Sequence, residues 1–299
     1  MSFLNPVNEP VKRFKSTDAG APQINYNARV AGDVKAVLKA CLVTGYGTIA
    51  SAGWTVVNEV NHVAEFVSPS AAMSDYRLGI DDTSASTTTW YYQYQDSRVN
   101  PTLNQSTKNI QYVDKTHASN GWQLLVTDRG IFLFEYFYHP TAQDLSARIT
   151  YWGSIKSGLS NTTGSNMSYF CIGHNSPLSY PNAFYDNNGV FYRVGGVTNV
   201  KLATAVYNKA SIVDAVYGQS FVDIVSPLYA INDSNIFVGE QPGVLAKLPS
   251  TLTGLYGVED TLLDDRPAIK VCAGAATNDL NYTFSRARIF LIYLDSWGY

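Results

Sequence analysis

Apolar and polar residues keep a helical spacing over one short stretch of the chain and a strand spacing over most of the rest. From Asp33 onward, Val34, Val37, Leu38, Cys41 and Leu42 fall at i, i+3, i+4, i+7 and i+8, with Lys35 and Lys39 on the opposite side. This predicts one three-turn amphipathic helix over 33–43. Asp33 is placed to cap its first turn, and Gly45 supplies the positive-φ residue that stops it. The preceding segment, Pro10 to Gln23, carries Pro10, Gly20 and Pro22 and few large apolar side chains. Such a segment buries too little surface to order itself. Residues 1–30 are therefore expected to form an extended arm lying on a neighbouring subunit, with Phe14 and Tyr26 among its contact residues.

After Trp54 the dominant period is two. Val56, Val63, Phe66 and Val67 sit among polar residues, Tyr76, Leu78 and Ile80 alternate, and Trp90 to Gln95 reads as a strand with aromatics on both faces. The clearest hairpin joins Gly121–Val126 to Ile131–Tyr138 through a loop of about four residues, Thr127 to Gly130. Phe132, Phe134, Tyr136 and Tyr138 share one face of its second strand, and Ile131, Leu133, Glu135 and Phe137 the other. Apolar residues on both faces predict a central strand covered on each side. Further strands are expected at 147–154, 168–172, 213–217, 220–231, 269–273 and 286–294. Pro242, Gly243 and Pro249 predict a loop carrying Leu245 and Leu248 outward or into a neighbour. A composition shift after Gly195 and Gly196 places a boundary near 195–210. The expected architecture is mainly β, with antiparallel sheets in two sandwich- or barrel-like lobes, one short helix and an N-terminal arm. The segments are 1–30, 31–200 and 201–299.

Several blocks of this chain resemble a known family. "VKRFKSTDAGAPQ" (Val11 to Gln23), "GDVKAVLKACLVTGYG" (Gly32 to Gly47) and "AGWT" (Ala52 to Thr55) look like the opening of a family of tailed-bacteriophage virion proteins. "WQLLVTDRGIFLF" (Trp122 to Phe134), "FVDIVSPLYAI" (Phe221 to Ile231) and "GEQPGVLAKLP" (Gly239 to Pro249) continue the resemblance in order over most of the chain. It implies a structural place in the virion, at the tail tip or baseplate in preference to the head, and supplies no catalytic residue.

Composition narrows the function classes. A formal net charge of −3 argues against a nucleic-acid surface, and the one basic cluster, Lys12, Arg13 and Lys15, suits an acidic protein neighbour better than phosphates. The three cysteines, Cys41, Cys171 and Cys272, are far apart and form no C-x-x-C pair, so neither a disulfide framework nor a zinc site is expected. No apolar run approaches the roughly 20 residues of a membrane helix. The opening Met1 to Pro6 lacks a secretory pattern, so folding and assembly in the host cytoplasm are expected.

Candidate chemistry is sparse. His62, His117, His139 and His174 have no metal-binding spacing, and a surface or hydrogen-bonded histidine is the better reading of each. No G-x-S-x-G elbow occurs. Gly45 and Gly47 follow a helix, the wrong order for a phosphate cradle, and read as a helix stop. The doublets Asp81-Asp82 and Asp264-Asp265 read as turn residues or weak calcium ligands, since neighbours in a strand point apart and cannot flank one bond. No catalytic, cofactor-binding or metal residues are assigned, and no enzyme activity is expected.

Tyrosine is the remaining signal, at 21 against 13 Phe in a chain with only 15% charged residues. A single Tyr is more often sheet packing, but together they suit a low-charge contact surface. The long uncharged stretch 173–188 contributes Tyr180, Phe184 and Tyr185. The chain is thus expected to be a virion component forming a ring or trimer with its own copies and other virion proteins, without nucleic acid. A tail-tip receptor binder for a host glycan or pilus, and a head or head–tail connector component, are the alternatives.

Overall fold

The computed structural model describes residues 7–24, 30–73, 76–83, 90–97, 109–114, 119–139, 144–154, 156–157, 167–172, 184–186, 189–194, 200–204, 225–232, 237–247, 258–263, 265–273 and 288–299. β1 (Asn8–Pro10) and β2 (Lys12–Lys15) precede the helix α1 (Asp33–Lys39), which widens into a π-helical turn over Ala40–Thr44. β3 (Thr55–Val60), β4 (Val63–Val67), β5 (Tyr76–Asp81), β6 (Trp90–Ser97) and β7 (Asn109–Asp114) form a five-stranded antiparallel meander.

The next strands are β8 (Ser119–Thr127), β9 (Gly130–His139), β10 (Asp144–Ser154), β11 (Lys156–Ser157) and β12 (Met167–Ile172). β13 (Phe184–Asp186), β14 (Gly189–Val194), β15 (Val200–Thr204), β16 (Val225–Asn232) and β17 (Phe237–Lys247) follow. β18 (Val258–Leu263), β19 (Arg266–Ala273) and β20 (Arg288–Tyr293) complete, with β2, a sheet of 14 strands. β21 (Ser296–Gly298) pairs with β1 in a separate two-stranded sheet. Among the described pairings all are antiparallel except one parallel contact, Ala147 of β10 with Ala273 of β19.

Over its described residues the chain is mainly β with antiparallel sheets and one short α-helix, as the periodicity predicts. The boundary expected near 195–210 does not interrupt strand pairing, because β15 pairs with both β14 and β16, and strands on either side of it share the large sheet. The hairpin β8–β9 closes more tightly than expected: Thr127 faces Gly130 in register, leaving a two-residue loop. β9 lies between β8 and β10, and its two faces serve different cores. Ile131 and Leu133 enter the main hydrophobic cluster. Phe132 instead meets Phe134, Tyr151 and Trp297 at ring separations of 6.0, 4.6 and 5.2 Å.

The main cluster joins the helix (Val34, Val37, Leu38, Cys41 and Leu42) to β4–β5 (Ala64, Phe66, Leu78, Ile80) and to the large sheet (Trp122, Leu124, Leu133, Trp152). Lys35 corrects the simple two-sided picture of the helix. It is buried, with its Nζ 2.8 Å from Glu59 Oε1 and donating to the Asn61 carbonyl. Gly45 ends the helix as predicted, at φ 74°, its N–H donating to the Ala40 carbonyl at 2.8 Å. The next orphan carbonyls find partners in the exit segment, where Ala52 N–H donates to Cys41 and Trp54 N–H to Leu42.

The arm is the largest correction. Over its described residues it belongs to this chain's own fold. β2 pairs with β8 in the register Phe14 to Leu124, and Phe14 is 1% exposed inside the main cluster. Ile24 is buried there too. A segment that cannot order itself is ordered here by a hairpin more than 100 residues away in sequence, which supplies the backbone partners and apolar surface that a neighbour was expected to supply.

Candidate interaction surface

The residues expected at interfaces divide sharply. Phe14 is core, for the reason just given. Tyr26, Tyr180 and Leu248 lie outside the described residues. Phe184 and Tyr185 fall in β13, which among the described strands pairs with β14 alone and stands at one end of the large sheet. An end strand keeps one row of backbone donors and acceptors free of sheet pairing, which is the physical basis of docking by strand addition. Leu245 is not carried out on a loop. It is half-buried within β17, paired with Pro227 on one side and Leu291 on the other.

Pro242 and Gly243 sit in the same strand, opposite a register shift between Pro227 and Tyr229. Gly243 has φ 71°, and a Cβ built on it would lie 2.0 Å from Trp297 Cδ1. The dipeptide that reads as a loop signal is therefore a bulge that lets β17 pass over a buried tryptophan.

The first and last described strands meet at this place. β1 pairs with β21 from Asn8 opposite Gly298 to Pro10 opposite Ser296, flanked by Tyr299 N–H to the Val7 carbonyl and Val11 N–H to the Asp295 carbonyl, both 3.0 Å. Glu9 Oε1 accepts from Arg129 Nε at 3.1 Å, and the Arg129 guanidinium lies 5.2 Å from the Tyr299 ring centre. The Tyr299 hydroxyl shares a 2.8 Å hydrogen bond with Thr127, and burial pushes its pKa up, so it stays protonated. Farther along the arm, Arg13 makes a bidentate pair with Asp260 at 2.5 and 3.0 Å and donates to Gln123. That guanidinium holds the Asp260 carboxyl below its ordinary range.

Of the two acidic doublets, Asp81, Asp82 and Asp265 are described and Asp264 lies outside the described residues. Asp82 is fully buried, and its Oδ2 accepts from the N–H groups of Val34 and Lys35 at 2.8 and 3.1 Å. The residue before the helix is Gly32, which makes no side-chain cap, and Asp33 accepts from the adjacent Val34 N–H. Asp82 thus has the capping role the sequence assigns to Asp33. Asp265 occupies the turn between β18 and β19 at φ 60°. Glu65, buried under the meander, accepts from Arg77 at 2.9 Å and from Asn58. Periodicity gives no sign of this ion pair, although an acid and a base on neighbouring strands are the signal to search for.

Among the described residues, no group of three or more His, Cys, Asp or Glu side chains is placed to hold a metal ion. No helix among them is long and apolar enough to cross a membrane. Cys41 is a buried free thiol whose pKa burial raises, in keeping with a small core hydrophobe. The described residues thus contribute strand edges and the β1–β21 clasp. No protein-family model matches the chain, and neither a curated protein nor a solved structure resembles it significantly.

Proposed function

We propose that this chain is a structural component of a tailed-phage virion, sited at the tail tip or baseplate and assembling with its own copies and with other virion proteins. One observation carries the reading. The blocks that resemble virion proteins are distant in sequence yet converge in the fold. The arm's Phe14, the helix, Trp54 and the hairpin 122–134 share one cluster, while Gly243 of the last block packs on Trp297 beside Phe132. A resemblance concentrated on the packed frame fits a shared scaffold better than a shared active site. The charged groups of that frame, Asp82, Glu65, Arg77 and Lys35, are engaged in holding elements together. In this reading the protein is no enzyme, and purified protein releases neither reducing ends nor peptides from host envelope material.

The test is location. Mass spectrometry of purified particles and gold-labelled antibody in electron micrographs should find the chain at the tail end. Absence from particles overturns the proposal, and label at the capsid or neck moves it to the head or connector alternative. The receptor-binding alternative has its own discriminator at the sheet end that holds Tyr185. Tyr185→Ala should reduce particle assembly and leave the melting temperature of the isolated protein nearly unchanged. Particles that assemble normally but fail to adsorb would favour the receptor binder.

A further inference from the structure

We infer that the strand over residues 7–15 is an exchangeable element. A lone chain holds it in its own grooves, and two copies can pass it reciprocally to each other. Apart from the turn bonds between Lys15 and Asp18, the partners described for this strand are remote in sequence. Arg129 lies 120 positions from Glu9, Gln123 lies 110 from Arg13, and Asp260 lies 247 from Arg13. The backbone partners are equally remote, β21 at the far end of the chain and β8 after the meander. Among the described contacts, the turn at Lys15 and Asp18 is thus what ties the strand locally to its own chain, and the grooves themselves can belong to another copy.

The occupant is specified by chemistry. The grooves offer a cation at Arg129, a carboxylate at Asp260 and an apolar site beside Leu124. They suit an extended strand with an acid, a base four residues later and an aromatic next to it. Glu9, Arg13 and Phe14 have that spacing, so a second copy of this chain is the partner that fits.

The hinge is a tight turn just beyond the strand. Asp18 N–H donates to the Lys15 carbonyl at 3.1 Å, while Asp18 Oδ2 accepts from Lys15 N–H at 2.7 Å. The segment after the turn is anchored independently, by Tyr46 donating to Asp18 at 2.9 Å and Trp122 Nε1 donating to the Pro22 carbonyl at 2.9 Å. Opening the turn therefore frees 7–15 and leaves the remainder seated. Exchange conserves every contact and is opposed by the lost freedom of two molecules, so it is favoured by high concentration. The inference goes beyond the virion proposal and does not rest on it, because it concerns purified protein.

Cysteine trapping tests it in the full-length chain. Pro10 and Ser296 face each other in register, a pairing suited to a disulfide. Pro10→Cys and Ser296→Cys chains of different mass are mixed at high concentration, oxidised mildly and read by intact-mass spectrometry. The expected result is a disulfide-linked heterodimer, several-fold in excess of that from Pro10→Cys mixed with Asn61→Cys, whose cysteine lies on the exposed turn between β3 and β4. The double variant Pro10→Cys/Ser296→Cys checks the geometry by closing its bond within one chain. If it closes while the mixed single variants give no excess heterodimer, the strand does not exchange. A second mixture avoids cysteine chemistry altogether. Arg13→Glu and Asp260→Arg chains each carry a mismatched pair alone, and a reciprocal heterodimer restores opposite charges at both sites. Native mass spectra should show more heterodimer than the statistical share, and monomers alone in that mixture would overturn the inference.

Discussion

The carboxylate of Asp82 accepts the Val34 N–H at 2.8 Å, so the residue that follows β5 caps a helix 48 positions earlier in the chain. The same oxygen takes the Lys35 N–H. Two donors that a short helix would leave unsatisfied are thereby tied to the meander, which fixes how helix and sheet dock. Asp82→Ala should destabilise the protein by about 1–2 kcal/mol, the range for losing a helix cap. Asp33→Ala should cost less, because Asp82 is fully buried and accepts two helix N–H groups. Denaturant midpoints of the two variants measure the order, and equal losses would mean that Asp33 shares the capping role.

Glu65 and Arg77 form an ion pair from which water is excluded, with the glutamate fully buried. Removing one partner strands a buried charge, which costs about 3–5 kcal/mol. Arg77→Met alone should be strongly destabilising, whereas Glu65→Leu combined with Arg77→Met should recover much of the loss. A double-mutant cycle on unfolding free energies checks both, and strict additivity would refute the coupling.

Gly243 is required on two grounds, its positive φ and the indole of Trp297 where a Cβ would stand. Gly243→Ala should cost about 1–3 kcal/mol through overpacking. Since Trp297 belongs to β21, near-ultraviolet circular dichroism should change along with the midpoint. A variant as stable as the parent would mean that the bulge tolerates a side chain.

Glu59 lies between Lys35 and Lys39, and their hydrogen bonds hold its carboxyl below the ordinary range. A depressed folded pKa gives stability that is complete above the unfolded value, about 4.3, and is lost as pH falls through the folded value. Asp260 beside Arg13 and Asp295 beside Arg266 act in the same direction. Stability should therefore fall on acidification below about pH 4. Glu59→Gln should flatten that acid limb slightly, because the site is partly exposed and solvent screens it. Melts at a series of pH values read the slope, and an unchanged slope in the variant would assign the acid limb to other groups.

What the sequence by itself determined is what short-range spacing controls. The face formed by Val34, Val37, Leu38 and Cys41, the stop at Gly45, and the two-faced strand holding Phe132 and Leu133 all follow from periods of 3.6 or 2 and from the backbone freedom of glycine. The tertiary structure decided whatever depends on which remote segment arrives. Phe14 reads as an exposed arm residue until β8 pairs with its strand, and Lys35 reads as a solvent-facing helix residue until Glu59 covers it. Asp82 reads as a turn residue until the helix start comes to rest on it, and Gly243 reads as a loop signal until Trp297 fills the space where its side chain would be. Pairing between distant strands is selected by the summed burial and hydrogen bonding of the whole sheet, and no local window of sequence contains that sum.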